Sequence, residues 1–367
     1  MRIEPFAIER FYERWEFRAE LMLSSSDCET IAVADLLALE PDAEERLQGL
    51  RLGYTEVPGS LELRSAVARG YERVEPDDVL TLAAAEEGIF TAYHALLAPG
   101  DHAVVEAPCY GSAIAVARST GAEVSLWQRR YEEGWAYDLD ALERLLRPDT
   151  KLIYLNSPHN PTGTQMPRET LERIVELARE RSIVLFSDEV YRGLEHDPAD
   201  RLPAACDLYE RAISLNTVSK SYGLPGLRIG WLASRDAALL ERIRELKLYT
   251  TICSSAPSEL LVALALRHGE ELIERSRRLI LANLPLLDAF LERRRDLLDW
   301  IRPSAGPIGF PRVKGDFDVQ GWCEQTAERA DVLLLPGAVY EEPRHVRLGF
   351  GRANLPQAVE RLDAYLG

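Results

Sequence analysis

The sequence predicts an α/β protein: a large domain on a mostly parallel sheet flanked by helices, plus a smaller α+β domain. Three observations lead there. Between about Asp77 and Trp231, short apolar runs alternate with stretches of helical period. Beyond about Cys253 that alternation stops, and a long helical stretch and two late apolar runs follow. The chain has 367 residues, which fits a large domain plus a smaller one better than a single small core. Strand–helix alternation implies parallel neighbours whose connections cover both faces of a sheet.

Taken in order, residues 1–45 are assigned to the smaller domain, 46–255 to the large domain and 256–367 to the C-terminal part of the smaller one. Val79–Leu82 reads as a strand, followed by the small-residue turn Ala83-Ala84-Ala85-Glu86. Ala103–Glu106, Leu152–Leu155, Ile183–Phe186 and Ala212–Leu215 are further strands, short and apolar. Leu171, Ile174, Val175 and Ala178 recur at helical spacing between two of them. Later, Leu279, Leu284, Leu287, Phe290 and Leu291 form the apolar side of a helix expected from about Glu270 to Trp300. Pro303, Gly306, Pro307 and Gly309 break it. Leu333–Gly337 and His345–Phe350 suggest strands of a smaller sheet.

Composition narrows the partners. The formal charge is −17 and the pI about 5.0, so polyanions such as nucleic acid or an anionic membrane are unfavourable partners. No zinc or redox Cys-x-x-Cys pair occurs among Cys28, Cys109, Cys206, Cys253 and Cys323, and no metal site is expected. Scattered cysteines in odd number read as reduced thiols, hence a cytoplasmic protein. Met1–Arg18 is densely charged and lacks the apolar core of a signal peptide. The longest clean apolar run, Leu260–Leu266, is far below the ~20 residues of a membrane span.

In sheets of this kind, ligands bind beyond the carboxyl ends of the strands. Four segments of the chain lie just there. The first is Ser214-Leu215-Asn216-Thr217-Val218-Ser219-Lys220-Ser221-Tyr222-Gly223-Leu224-Pro225-Gly226-Leu227-Arg228. A strand leads into small hydroxyl residues and a lysine, and an arginine follows eight residues later. A lysine used for carbonyl chemistry must be held where its amine can lose a proton and attack. Hydroxyls and an arginine beside it suit a bound phosphate. Together they describe a lysine holding a phosphorylated aldehyde as a Schiff base, and pyridoxal 5′-phosphate (PLP) is the aldehyde that fits. The others are Asn156-Ser157-Pro158-His159-Asn160-Pro161-Thr162-Gly163, Ser187-Asp188-Glu189-Val190-Tyr191 and the Ala83–Phe90 turn. Taken alone, the second of these is a turn, and Asp188 serves equally well as a helix N-cap.

The Lys220 string and Ser157-Pro158-His159-Asn160-Pro161-Thr162-Gly163 together resemble the class I/II aminotransferases, PLP-dependent enzymes of fold type I. The resemblance runs from Tyr54 to Arg347. It implies that Lys220 carries the cofactor, that Asp188 meets the pyridinium nitrogen, and that Asn160 and Tyr191 bind the phenolic oxygen. By the same resemblance, Tyr110 stacks on the ring. Ala84, Ala85 and Glu86 offer backbone amides to the phosphate, with Thr217 and Arg228 completing its contacts. The Glu86 side chain, carrying a charge of the wrong sign, is expected to point away from the phosphate. Arg347 matches the family's late arginine, which grips the substrate α-carboxylate; its neighbours Arg344 and Arg352 lack the strand context. Tyr54 matches a tyrosine that reaches across a homodimer interface to the neighbouring phosphate.

The activity implied is amino transfer between an L-amino acid and a keto acid. The alternative is a PLP lyase or cyclase, of the C–S lyase or capreomycidine-synthase kind, which shares every cofactor residue. Where relatives carry a Gly-rich segment that closes over substrate, this chain has Leu23-Ser24-Ser25-Ser26-Asp27-Cys28-Glu29. That polar, acidic segment suits a polar or cationic substrate side chain.

Overall fold

In the computed structural model, which describes residues 2–367, seven strands form one sheet. They are β1 (Val79–Leu82), β2 (His102–Ala107), β3 (Glu123–Gln128), β4 (Thr150–Asn156), β5 (Val184–Asp188), β6 (Ala212–Thr217) and β7 (Gly230–Ala233). Their spatial order is β1-β7-β6-β5-β4-β2-β3. All neighbours from β3 to β6 pair in parallel, while β7 runs antiparallel to both β6 and β1. Two of these strands gave no clear sequence signal. β3 is an edge strand and only Trp127 in it is buried, so its apolar run is weak. β7 is four residues long and follows the Gly/Pro loop directly.

Alternation along the strands separates the two faces. Val105, Tyr154, Phe186 and Leu215 pack against Ile89 and Tyr93 of the helix Ala84–Leu96, and against Val116 and Ile243. Val104, Ile153, Leu155 and Leu185 pack on the other face against Leu142 and against Leu171, Ile174 and Leu177 of the helix Arg168–Glu180. Burial on both faces explains why these strands read as continuous apolar runs. Register aligns the strand ends: Asn156 lies beside Asp188, and Gly230 beside both Thr217 and Leu82.

The long late helix spans Gly269–Arg293 and stops short of Trp300. Tertiary pairing ends it, because β8 (Leu298–Asp299) is drawn into a ladder with β10 (Arg312–Val313). Between these lies β9 (Ile308–Gly309), which joins β11 (Leu335–Pro336) and β12 (Val346–Gly349) in a three-stranded sheet. Leu333 lies outside β11. Its amide donates to the Leu21 carbonyl (2.8 Å), so the start of the chain completes this region.

Side-chain packing shows how the two ends of the chain meet. Phe11, Trp15, Leu21 and Leu23 share one cluster with Leu284, Phe290, Leu348 and Phe350. Leu36, Ala43 and the helix Ala256–Arg267 instead pack with Leu63 and Trp231 against the large sheet. We propose from this packing that the smaller domain combines the chain up to about Cys28 with the chain from Gly269, rather than dividing at 45 and 256. Among the described residues, no helix is long and apolar enough to cross a membrane.

Candidate active site

A cavity of about 320 Å³ lies at the carboxyl edge of the sheet, within the ~300–1,000 Å³ range of small-molecule sites. Strand ends supply Asn156 (β4), Asp188 (β5) and Thr217 (β6) to its lining. The loops just beyond supply Tyr110, Asn160, Tyr191, Lys220 and Arg228, and the helix start supplies Ala84, Ala85 and Glu86. Arg347 enters from β12 and Tyr12, Ser25, Ser26 and Asp27 from the N-terminal segment. Of the residues given a role at the site from the sequence, Tyr54 alone stands apart from the cavity. It is 94 % exposed, beside Thr55, whose hydroxyl binds the Ser254 carbonyl (3.1 Å) and the Glu259 carboxylate (2.9 Å).

Asp188 is 6 % exposed. Tyr154 Oη donates to its Oδ2 (3.1 Å) and the Val190 amide to its Oδ1 (3.2 Å). Burial pushes its carboxyl up to about 6, against the opposing pull of these two hydrogen bonds. It is an acid waiting for a cationic or N–H partner inside the cavity. Lys220 Nζ donates to Ser26 Oγ (3.0 Å), so the lysine is directed at the N-terminal segment.

Asn156 links three parts of the site. Its Nδ2 donates to the Asp188 carbonyl (2.9 Å), and its Oδ1 accepts from the Asn160 amide (2.7 Å). Its own amide donates to Glu106 Oε2 (2.9 Å), a buried carboxylate that also receives Arg129 Nη1 (2.8 Å). Asn160 Oδ1 then accepts from Arg347 Nη1 and from Tyr340 Oη, each at 3.1 Å. Arg347 is 2 % exposed. Its Nη2 donates to the Ser24 carbonyl (2.8 Å) and to Tyr12 Oη (2.6 Å), and Nη1 also donates to Tyr340 Oη. Arg352, by contrast, pairs with Asp27 (2.8 Å). Arg344 is not among the cavity residues.

The turn after β1 is built for close approach to its neighbours. Ala84 holds φ +70°, a left-handed conformation that costs a non-glycine residue roughly 1–2 kcal/mol. A Cβ on Gly230 would lie 2.9 Å from Ala84 C and 3.0 Å from Ala85 N, so β7 must present glycine there. The first amides of the helix that follows have no intrahelical acceptor. Thr217 Oγ1 donates to the Ile229 carbonyl (2.8 Å), tying the end of β6 to the start of β7. Arg228 is exposed, with Nη1 on the Pro225 carbonyl (3.1 Å). The Glu86 side chain turns to Ser112, which donates to its Oε1. Tyr110 Oη donates to Glu9 Oε1 (2.7 Å) and its ring meets Phe6 edge-on at 4.9 Å.

Asn156, Tyr154, Tyr12 and Tyr340 were not singled out in the sequence. Asn156 and Tyr154 both lie on the Leu152–Leu155 strand or at its end, and the strand-end position of Asn156 was the one signal available. Tyr12 and Tyr340 had none, because each reaches the site only through the packing of the chain ends.

Residues 20–362 match the family model for aminotransferase class I and II. The chain belongs to that family. It is 32 % identical to capreomycidine synthase of Streptomyces vinaceus, a match that covers 100 % of this chain and 93 % of the relative. A PLP-dependent aminotransferase from Streptococcus suis superposes with a TM-score of 0.94 at 34 % identity, covering 100 % of this chain and 98 % of that one. The PLP-dependent cyclase OrfR superposes with a TM-score of 0.91 at 28 % identity, covering 100 % and 98 %. Aminotransferase family and cofactor go together: the chain is a PLP-dependent enzyme of fold type I. The residues present fit that cofactor. A buried acid whose carboxyl is pushed up despite two hydrogen bonds and the nearby Lys220 suits a pyridinium N–H, and a glycine-backed turn with free amides suits a phosphate.

Proposed function

We propose that the enzyme transfers the amino group of an L-amino acid to a keto acid. The observation that carries this reading is the convergence of Lys220, Asp188, Asn160 and Arg347 on one cavity. Pyridoxal phosphate, when bound, supplies an electron sink for the pair left at the substrate Cα. Asp188 keeps the ring nitrogen protonated, and burial keeps water from competing for that contact. Asn160 and Tyr191 would bind the phenolic oxygen, Tyr110 would lie against the ring, and Thr217, Arg228 and the amides of Ala84, Ala85 and Glu86 would hold the phosphate. Lys220 Nζ takes the proton from Cα. Arg347 holds the α-carboxylate in a charge-assisted pair, its guanidinium plane fixed by Ser24, Tyr12 and Asn160.

The substrate side chain faces Ser25, Ser26, Asp27, Glu9 and Glu16. Glu16, exposed at the cavity mouth, is pushed up by partial loss of hydration and by repulsion from Asp27 and Glu9, which a cationic side chain would relieve. We further propose a homodimer. The exposed side chains Leu52 and Tyr54 adjoin Thr55, and Tyr249 and Ile252 precede Ser254, to which Thr55 is hydrogen-bonded; a second copy is the natural cover. Mixing Tyr54→Ala with Lys220→Ala subunits should restore activity in the heterodimer; a fully active monomer overturns the shared site.

A second reading, a cyclase or lyase, draws support from the full-length likeness to capreomycidine synthase and to OrfR. The two readings part in one experiment. Under transamination, an amino acid given alone is consumed only in proportion to enzyme, and added keto acid makes consumption catalytic. Catalytic consumption without any keto acid decides for the second reading.

A further inference from the structure

Glu87 does not line the cavity, yet the turn after β1 closes on it. The helix Ala84–Leu96 starts without the usual cap, because its N-cap residue is Ala83, whose methyl offers no oxygen to the first amides. A Ser, Thr or Asp there would bind the amides two and three residues on, those of Ala85 and Glu86. The turn is fixed from the other side instead. Glu87 Oε2 accepts from the Ala83 amide (2.6 Å), so its carboxylate reaches back past Ala84 and leaves the amides of the first turn to a ligand. Ala84 keeps its left-handed conformation between this bond and the close Gly230 backbone. Such a conformation persists only where its surroundings over-determine it. Glu87 is itself braced from behind. Its Oε1 accepts from the hydroxyls of Thr250 and of Thr251 (2.7 Å), both on the exposed loop after the helix Ala237–Lys247. That loop is tied at both ends. Buried Lys247 donates Nζ to the Ile252 carbonyl (3.0 Å), and the Ile252 amide donates to the Lys247 carbonyl (3.0 Å). At the other end the Ser254 hydroxyl lies 3.4 Å from that of Thr81 on β1, and the Ser254 carbonyl accepts from Thr55.

We propose that Glu87 is a positioning residue for the cofactor phosphate, and that the Thr250–Thr251 loop is the strut that holds Glu87 in place. The carboxylate orders the turn before the cofactor arrives, so phosphate binding need not supply the ordering. The effect belongs to the phosphate end alone. Lys220, Asp188 and Asn160 are carried by other strands and loops, and none of them is bonded to Glu87. This goes beyond the proposed function, since it holds for amino transfer and for the second reading alike. It rests on one part of that reading, the phosphate at the amides of Ala84, Ala85 and Glu86.

The test titrates cofactor-free full-length protein with PLP and with pyridoxal, which has the same ring and aldehyde but no phosphate. In the wild type PLP should bind far more tightly. Glu87→Ala should weaken PLP by about 10- to 100-fold, the worth of a hydrogen bond to a charged group, while pyridoxal affinity changes less than about 3-fold. Glu87→Gln keeps an oxygen for the Ala83 amide and should restore most of the preference for PLP. The paired substitution Thr250→Val with Thr251→Val removes only the strut and should weaken PLP in the same direction by about 3-fold. If Glu87→Ala does not fold, this exposed pair decides alone. An equal loss of PLP and pyridoxal affinity means that Glu87 supports the fold in general, and overturns the proposal. Unchanged PLP affinity in Glu87→Ala, or in the threonine pair, overturns it too. A wild type that binds pyridoxal as tightly as PLP would instead sink the phosphate reading on which the proposal rests.

Discussion

On one side of the cavity, Asn156, Asp188 and Thr217 each end a strand, and their bonding partners lie on the same or adjacent strands and loops. On the other side, Arg347 is held by Ser24 and Tyr12, respectively 323 and 335 residues away in sequence. The first wall is made by register. Parallel pairing puts Asn156 beside Asp188 whatever their side chains are, so each strand end delivers a residue to the edge. The second wall is made by docking of the chain ends. A Cβ on Gly349 would overlap the Ser25 carbonyl oxygen, and one on Gly351 would lie 2.6 Å from the Asp27 carbonyl oxygen. The contrast teaches that the cofactor half of the site is held by a sheet and the substrate half by a close contact between chain ends. Losses in the first should appear in chemistry, losses in the second in binding and in stability.

The largest effect should come from the sheet side. Lys220→Ala should lose turnover by about 10⁴-fold or more, together with the yellow colour of the purified enzyme. Borohydride should fix the cofactor to Lys220 in the wild type, and an adduct on another lysine would falsify the assignment. Next, Asp188→Ala should slow Cα proton removal roughly 100- to 1,000-fold while the cofactor stays bound through its phosphate contacts. Near-normal turnover would leave Asp188 as a cap of the turn after β5 and remove the strongest contrast between the walls.

The docked side should respond differently. Arg347→Ala should raise KM for amino acids by about 10- to 100-fold, the worth of a lost charge-assisted pair, with the cofactor spectrum little changed. Arg352→Ala should do less, since Arg352 is already paired with Asp27. If Arg352 gives the larger KM effect, the two arginines exchange roles. The smallest effect should be that of Gly349→Ala. It should lower stability by about 1–3 kcal/mol, read as Tm or denaturant midpoint, by forcing the Ser25–Asp27 segment off β12. An unchanged Tm would mean that the segment yields freely, and the two walls would then differ less than their contacts suggest.

The strand–helix alternation from Asp77 to Trp231 determined the parallel sheet, because a strand buried on both faces must be apolar along its length. The Lys220, Asn160 and Asp188 strings determined the family, because the turn chemistry and the reactive groups lie in continuous stretches. Other features were set by contacts that no local stretch encodes. The long helix stops at Arg293 because Leu298 finds Val313 to pair with. Tyr12 and Ser26 join the cavity because the N-terminal segment packs on β12. Glu86 looked like an anion placed wrongly beside a phosphate. Its burial, with Glu9 and Asp188 near it, pushes its carboxyl up to about 7 against the pull of Ser112, and that depends on groups brought together only by the tertiary fold.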